Sequence, residues 1–318
     1  MKRRNDAIDI AKAFGILLVI LGHSNGLPLL LRNFIFSFHV PLFFILSGYF
    51  FKPQSVRNIA SIGLKRLVVP YLVTSLACIL ICLLAFNPRA AWQATIGTIM
   101  SNGGTPYEMI GTNLPMIGAI WFLLALFWCR IFYACLKRIT DQALLASFII
   151  STLAFLVGKY VLNLPFGILT GGCGMVFYAM GDYWKNKMKE PVNNLYLAAG
   201  IIIWGICVWK AHVDLALFEC SLYPISMLAA FVGTYTIYLV AGKIQGCLKG
   251  LLTWIGRNTL LILCYHTITA YLLNFVISRL LLQHGIAITG TASLIISFTL
   301  GLGLPYLHSL ISNRVKAQ

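Results

Sequence analysis

Residues 10–25 read IAKAFGILLVILGHSN, and the fold turns on how this run is interpreted. It is apolar enough to sit in hydrocarbon, yet Lys12 stands near its start and His23 near its end. Eleven residues at about 100° each turn a helix through roughly 1100°, three turns and about 20°, so the two side chains share one face about 16.5 Å apart. Asp9, Lys12, Ile16, Val19 and His23 then form one stripe at spacings of three and four. An ionisable group at membrane depth costs about 2.5–3.5 kcal/mol on insertion scales, and such groups face a bundle interior or a wet cavity. Two readings stay open for each residue. Lys12 either snorkels to the interface or belongs to a site; His23 either caps the outer helix end or is the site's reactive group.

The rest of the chain fits the membrane reading. Of 318 residues, 59% are hydrophobic and 10% charged, against about 25% charged in soluble domains. The net charge of +16 comes from short basic clusters between apolar runs, which argues against nucleic acid as a partner. The nine cysteines are scattered without a CxxC pair, so neither a disulfide framework nor a metal site is expected. The opening MKRRNDAIDIAKAF resembles a signal n-region, but no small-x-small cleavage site follows, and the first run reads as a retained anchor.

Ten apolar segments predict an all-α polytopic membrane protein, one domain over residues 1–318, with helices at about 7–26, 34–51, 67–87, 115–136, 142–160, 165–184, 194–211, 221–242, 258–280 and 287–309. Lys and Arg alternate between the two sides. Arg32, Arg89, Lys159, Lys210 and Arg279 lie one per connection on one side, and the other 19 of the 24 basic residues lie on the opposite side. Cytoplasmic N- and C-termini follow from this asymmetry. The connection 88–114, rich in Gly, Pro and Asn, is expected to be a long outward loop, either a mobile connector or a cover over a site.

Further polar residues punctuate the apolar segments. FIFSFHVPLFFILSGYFFKP (34–53) places His39 at an outer helix start, and Ser47 and Tyr49 at the inner end. GLKRLVVPY (63–71) puts Lys65 and Arg66 at an inner mouth, where they either anchor the helix or meet an anionic ligand. IWFLLALF (120–127) contributes Trp121, and GRNTLLILCYH (256–266) contributes His266, which is expected to be a satisfied core histidine.

These segments, DIAKAFGILLVILGH (9–23), FSFHVPLFFILSGYFF (36–51), KRLVVPY (65–71), WFLLALF (121–127) and IGRNTLLILCYH (255–266), resemble integral-membrane acyltransferase family 3, in its branch similar to fucose 4-O-acetylases. The resemblance covers nearly the whole chain in order. It implies that His23 is the essential histidine, a general base or an acyl carrier, and that Lys12 assists it or contacts the donor. It implies no permanently bound cofactor, with acetyl-CoA or another acyl-CoA as co-substrate held by Arg66 and Lys65. Of the family's paired arginines before the third-helix proline only Arg66 is matched, since Gly63 occupies the other position. Asp9, His39, Ser47, Tyr49, Trp121 and His266 would support the site, and Tyr107 and Glu108 would lie on the acceptor side. The implied reaction is O-acetylation of an envelope or lipid-linked glycan at the outer face of the bacterial cytoplasmic membrane. The competing reading is a polysaccharide exporter, against which the halves show no inverted repeat.

Overall fold

The computed structural model describes residues 5–23, 27–104, 108–109, 112–113, 115–185, 194–285 and 289–317. It is an all-α membrane protein, with two short hairpins among the described residues. Six helices among the described residues are long and apolar enough to cross a membrane: Leu29–Tyr49, Val56–Leu84, Ala143–Tyr160, Tyr223–Lys243, Thr259–Gln283 and Gly290–Ser312. Helix α1 (Asp6–Gly22) is nearly as long and runs through the centre, with Ile8, Ile10, Ile16 and Ile20 at most 2% exposed. The Asn5 side chain caps its start by accepting from the Ala7 N–H, and Asp6 and Asp9 in the first turn complement the helix dipole.

Two prolines shape the helices nearest the site. The expected helix 34–51 is broken into α2 (Leu29–Phe36) and α3 (His39–Tyr49). Pro41 cannot donate to the Ser37 carbonyl and its ring crowds that group, so the chain leaves helical geometry at Phe38. Farther on, α4 (Val56–Gly63) passes into α5 (Val69–Leu84) through a π-helical turn at Leu64–Val68. Pro70 leaves the Arg66 carbonyl without its usual donor, and a π turn is a way of absorbing such a gap. The bulge therefore falls on the Lys65–Arg66 segment.

Residues 88–114 are not the continuous loop that their composition suggests. Pro88–Met100 forms α6, capped by the Asn87 side chain and buried along Ala90, Ala94 and Gly97. A stripe of small residues lets two backbones approach closely, which outweighs the scatter of Gly and Thr. The remainder carries a two-residue hairpin, β1 (Glu108–Met109) with β2 (Thr112–Asn113). The expected helix 165–184 is likewise in pieces, α9 (Ile168–Cys173) and α10 (Met175–Trp184), after α7 (Trp121–Ile139) and α8 (Ala143–Tyr160).

Close backbone contacts lock the central helices. A Cβ on Gly48 of α3 would run into the Tyr178 carbonyl of α10, and one on Gly181 into the Ile45 carbonyl. After α11 (Asn194–Val208) comes a second hairpin, β3 (His212–Asp214) with β4 (Glu219–Ser221), and then α12 (Tyr223–Lys243). The stretch after α12, expected as a connection, forms α13 (Gly246–Arg257), which docks along α1. Gly256 abuts the Asp9 carbonyl, and Arg257 and Lys249 pair with Asp6 and Asp9. Helices α14 (Thr259–Leu272), α15 (Ser278–Gln283) and α16 (Gly290–Ala317) complete the chain.

Candidate active site

Helix α1 ends at His23, whose backbone has left helical geometry (φ −88°, ψ 0°). Its ring Nδ1 lies 2.7 Å from the Val19 carbonyl oxygen one turn back. A carbonyl can only accept, so Nδ1 carries the proton and Nε2 is left with its lone pair. That nitrogen belongs to a ring open to a cavity of about 720 Å³, within the usual range for small-molecule sites. The same cavity reaches Lys12, so the two ends of the α1 stripe open into one space.

His266 of α14 is the closest aromatic partner of His23 among the described ring contacts. The two rings meet edge to face with centroids 5.6 Å apart. The sequence suggests a satisfied core histidine here; instead His266 is 4% exposed and its Nδ1 has no hydrogen-bond partner among the described residues. His39 repeats the His23 arrangement, with Nδ1 donating to the Ile35 carbonyl at 2.8 Å and the ring lining the cavity.

At the Lys12 end the cavity is basic. Lys12 sits 3.7 Å from the Asp9 carboxylate, with its ammonium 5.2 Å from the centre of the Phe50 ring. Asp9 is 2% exposed, is shared with Arg257 at 3.3 Å, and does not itself line the cavity. Arg66 lines it, as do Lys52 and Arg130, neither of which was expected at the site. Lys52 follows the FF pair that ends the second apolar run, and Arg130 interrupts α7 after nine apolar residues. An isolated Arg inside an apolar helix is the signal that would have identified it.

The other expected residues divide. Ser47 and Trp121 line the cavity, and the Trp121 carbonyl accepts from the Ser101 hydroxyl, tying α7 to the end of α6. Lys65, adjacent to Arg66 on the π turn, is exposed and does not line it. Tyr49 also lies outside the lining and packs edge-on against Phe50. Tyr107 is outside the described residues; Glu108 pairs through its backbone with Asn113 in the β1–β2 hairpin.

The His23 end has a wall that the sequence does not announce. Arg32 of α2 lies over the Phe36 ring at 5.2 Å, and His212 of β3 stacks on that ring at 5.0 Å and 10°. His39 meets Phe36 edge-on at 4.9 Å. This stack fastens the β3–β4 hairpin to α2 and brings Asp214 to the cavity. Asp214 Oδ1 accepts from the Ala216 and Leu217 N–H groups at 2.9 and 3.2 Å. Burial holds the Asp214 carboxyl above its ordinary value, opposed by His212 and by those two N–H groups. Only eight Asp and Glu occur in the chain, and their rarity is the one sequence hint to Asp214.

The arrangement is thus one chamber with four cations at one end and an oriented imidazole with Arg32 near it at the other, suited to holding an anionic reagent along its length and moving a proton at its tip. Residues 5–310 match the family model described as an acyltransferase domain. No curated protein and no solved structure matches the chain.

Proposed function

Because the chain belongs to the acyltransferase 3 family, whose domain occupies nearly all of it, we propose that this membrane acyltransferase moves an acetyl group from cytoplasmic acetyl-CoA to a glycan hydroxyl at the outer face. The observation that carries the reading is the single cavity that joins Lys12, Lys52, Arg66 and Arg130 to His23. The diphosphate and phosphate groups of the donor suit the basic end as charge-assisted contacts, and its slender acyl-bearing arm suits the shaft alongside Ile16 and Val19. The alternation of Lys and Arg between connections supports placing the Lys12 end in the cytoplasm, with ten membrane crossings.

The acceptor hydroxyl oxygen attacks the thioester carbon while Nε2 of His23 takes the hydroxyl proton. The tetrahedral adduct then expels the sulfur, and the imidazolium returns its proton to the departing thiolate. One ester and one thiol replace one thioester and one hydroxyl. The Val19 carbonyl stabilises the imidazolium formed midway, because the Nδ1–H that it accepts becomes more acidic in that state. Membership of an acyltransferase family supports transfer over export.

The test uses membranes containing the protein and acetyl-labelled coenzyme A. Label should enter a glycan fraction and be released by mild alkali, as an ester is. If label never reaches glycan, and cells lacking the protein retain unexported glycan, the exporter reading replaces this one.

A further inference from the structure

The cavity is lined by five cations, Lys12, Arg32, Lys52, Arg66 and Arg130, against one carboxylate among the described residues, Asp214. Four of the cations surround the end assigned to the donor. Arg32 does not: its neighbours are Phe36, His212 and His23, at the opposite end of α1. Arg32 is exposed and lines the cavity, and its guanidinium makes no hydrogen bond or ion pair among the described residues. Among the described residues no ion pair joins it to Asp214, although Asp214, Glu219 and Arg32 all act electrostatically on His212. A guanidinium that lines a chamber unpaired can meet an anion that arrives with the ligand through charge-assisted hydrogen bonds.

Asp214 complements this. One of its oxygens is committed to the hairpin through Ala216 and Leu217, and the residue lines the cavity. A carboxylate anchored at one oxygen presents the other as an acceptor for hydroxyl groups. The hairpin is itself rigidly placed, by the Phe36–His212 stack on one side and by Leu217 against Gly104 on the other, where a Cβ would collide with Leu217.

Resting on the acyl-transfer reading, we infer that the acceptor is an anionic saccharide, its phosphate or carboxylate met by Arg32 and its hydroxyls ordered by Asp214 beside His23. The anionic group lies close to the hydroxyl that is acylated, because Arg32 and His23 open on the same end of the chamber. Asp214 and Arg32 bind and orient the acceptor and leave proton transfer to His23.

Membranes that contain the full-length protein and their own glycans, given acetyl-labelled coenzyme A, test this directly. The labelled product should bind an anion exchanger at neutral pH. Mild acid, which cleaves a sugar–phosphate bond at the anomeric carbon, distinguishes the sources: charge lost with the phosphate indicates a phosphate-linked sugar, and charge retained indicates a carboxylate sugar. Either supports the inference, and a neutral labelled product overturns it. In the purified protein with that product's unacylated form, Arg32→Ala should raise the KM for acceptor about ten- to a hundredfold, with partial recovery in Arg32→Lys. A change confined to the KM for donor would assign Arg32 to the other substrate and overturn the proposal. Absence of any labelled glycan from wild-type membranes defeats the acyl-transfer reading itself, a result distinct from a neutral product.

Discussion

The Nδ1–H of His23 donates to the carbonyl oxygen of Val19 at 2.7 Å, which leaves Nε2 as the one basic nitrogen of the ring facing the cavity. A nitrogen held this way can take a proton from a hydroxyl, and it can also attack an acyl carbon. Direct transfer predicts that protein mixed with labelled acetyl-CoA in the absence of acceptor, then quenched and denatured, carries no label. Label on His23 would instead establish an acyl-imidazole intermediate.

His266 touches His23 edge-on, and on the mechanism proposed above it would act through that ring as a positioning residue. His266→Ala should lower kcat about ten- to a hundredfold while leaving KM for acetyl-CoA unchanged, since loss of packing lets the His23 ring depart from its productive angle. His266→Phe keeps an aromatic edge and should recover much of that loss. Equal loss in both variants would mean that His266 contributes a polar atom rather than a surface.

Adjacent residues on the π turn should separate cleanly. Arg66→Ala should raise the KM for acetyl-CoA about tenfold or more, an effect that added salt reduces. Lys65→Ala, outside the cavity lining, should change it less than twofold. The reverse order would place the donor phosphates outside the chamber.

The sequence makes the α1 stripe legible because it depends only on helical periodicity: Lys12 and His23 share a face whatever else the chain does. Arg66 is legible for a related reason, since a basic pair ahead of Pro70 marks where an apolar run begins. What stays hidden is set by contacts across the fold. Nothing local to HVD at 212–214 signals that His212 stacks on Phe36 and delivers Asp214 to the chamber. Residues 88–100 look like loop by composition, yet the buried face of Ala90, Ala94 and Gly97 makes them a packed helix. Lys65 and Arg66 are adjacent and carry the same charge, and the turn puts Arg66 but not Lys65 on the cavity.

The close approach of α3 and α10 gives a prediction for stability. Gly48→Ala places a methyl group against the Tyr178 backbone, which cannot move aside as a side chain could. Overpacking of this kind costs about 1–3 kcal/mol. The variant should melt at lower temperature in detergent than the parent, whereas Gly250→Ala, with open space around it, should not.

The most direct measurement is transfer of labelled acetyl groups from acetyl-CoA to glycan by the purified protein, compared with His23→Ala and His23→Gln at matched, verified folding. Proton transfer at Nε2 predicts a fall of about a hundred- to ten-thousandfold in both variants, because neither side chain carries a basic nitrogen. Transfer at the parental rate by either variant would contradict a catalytic role for His23.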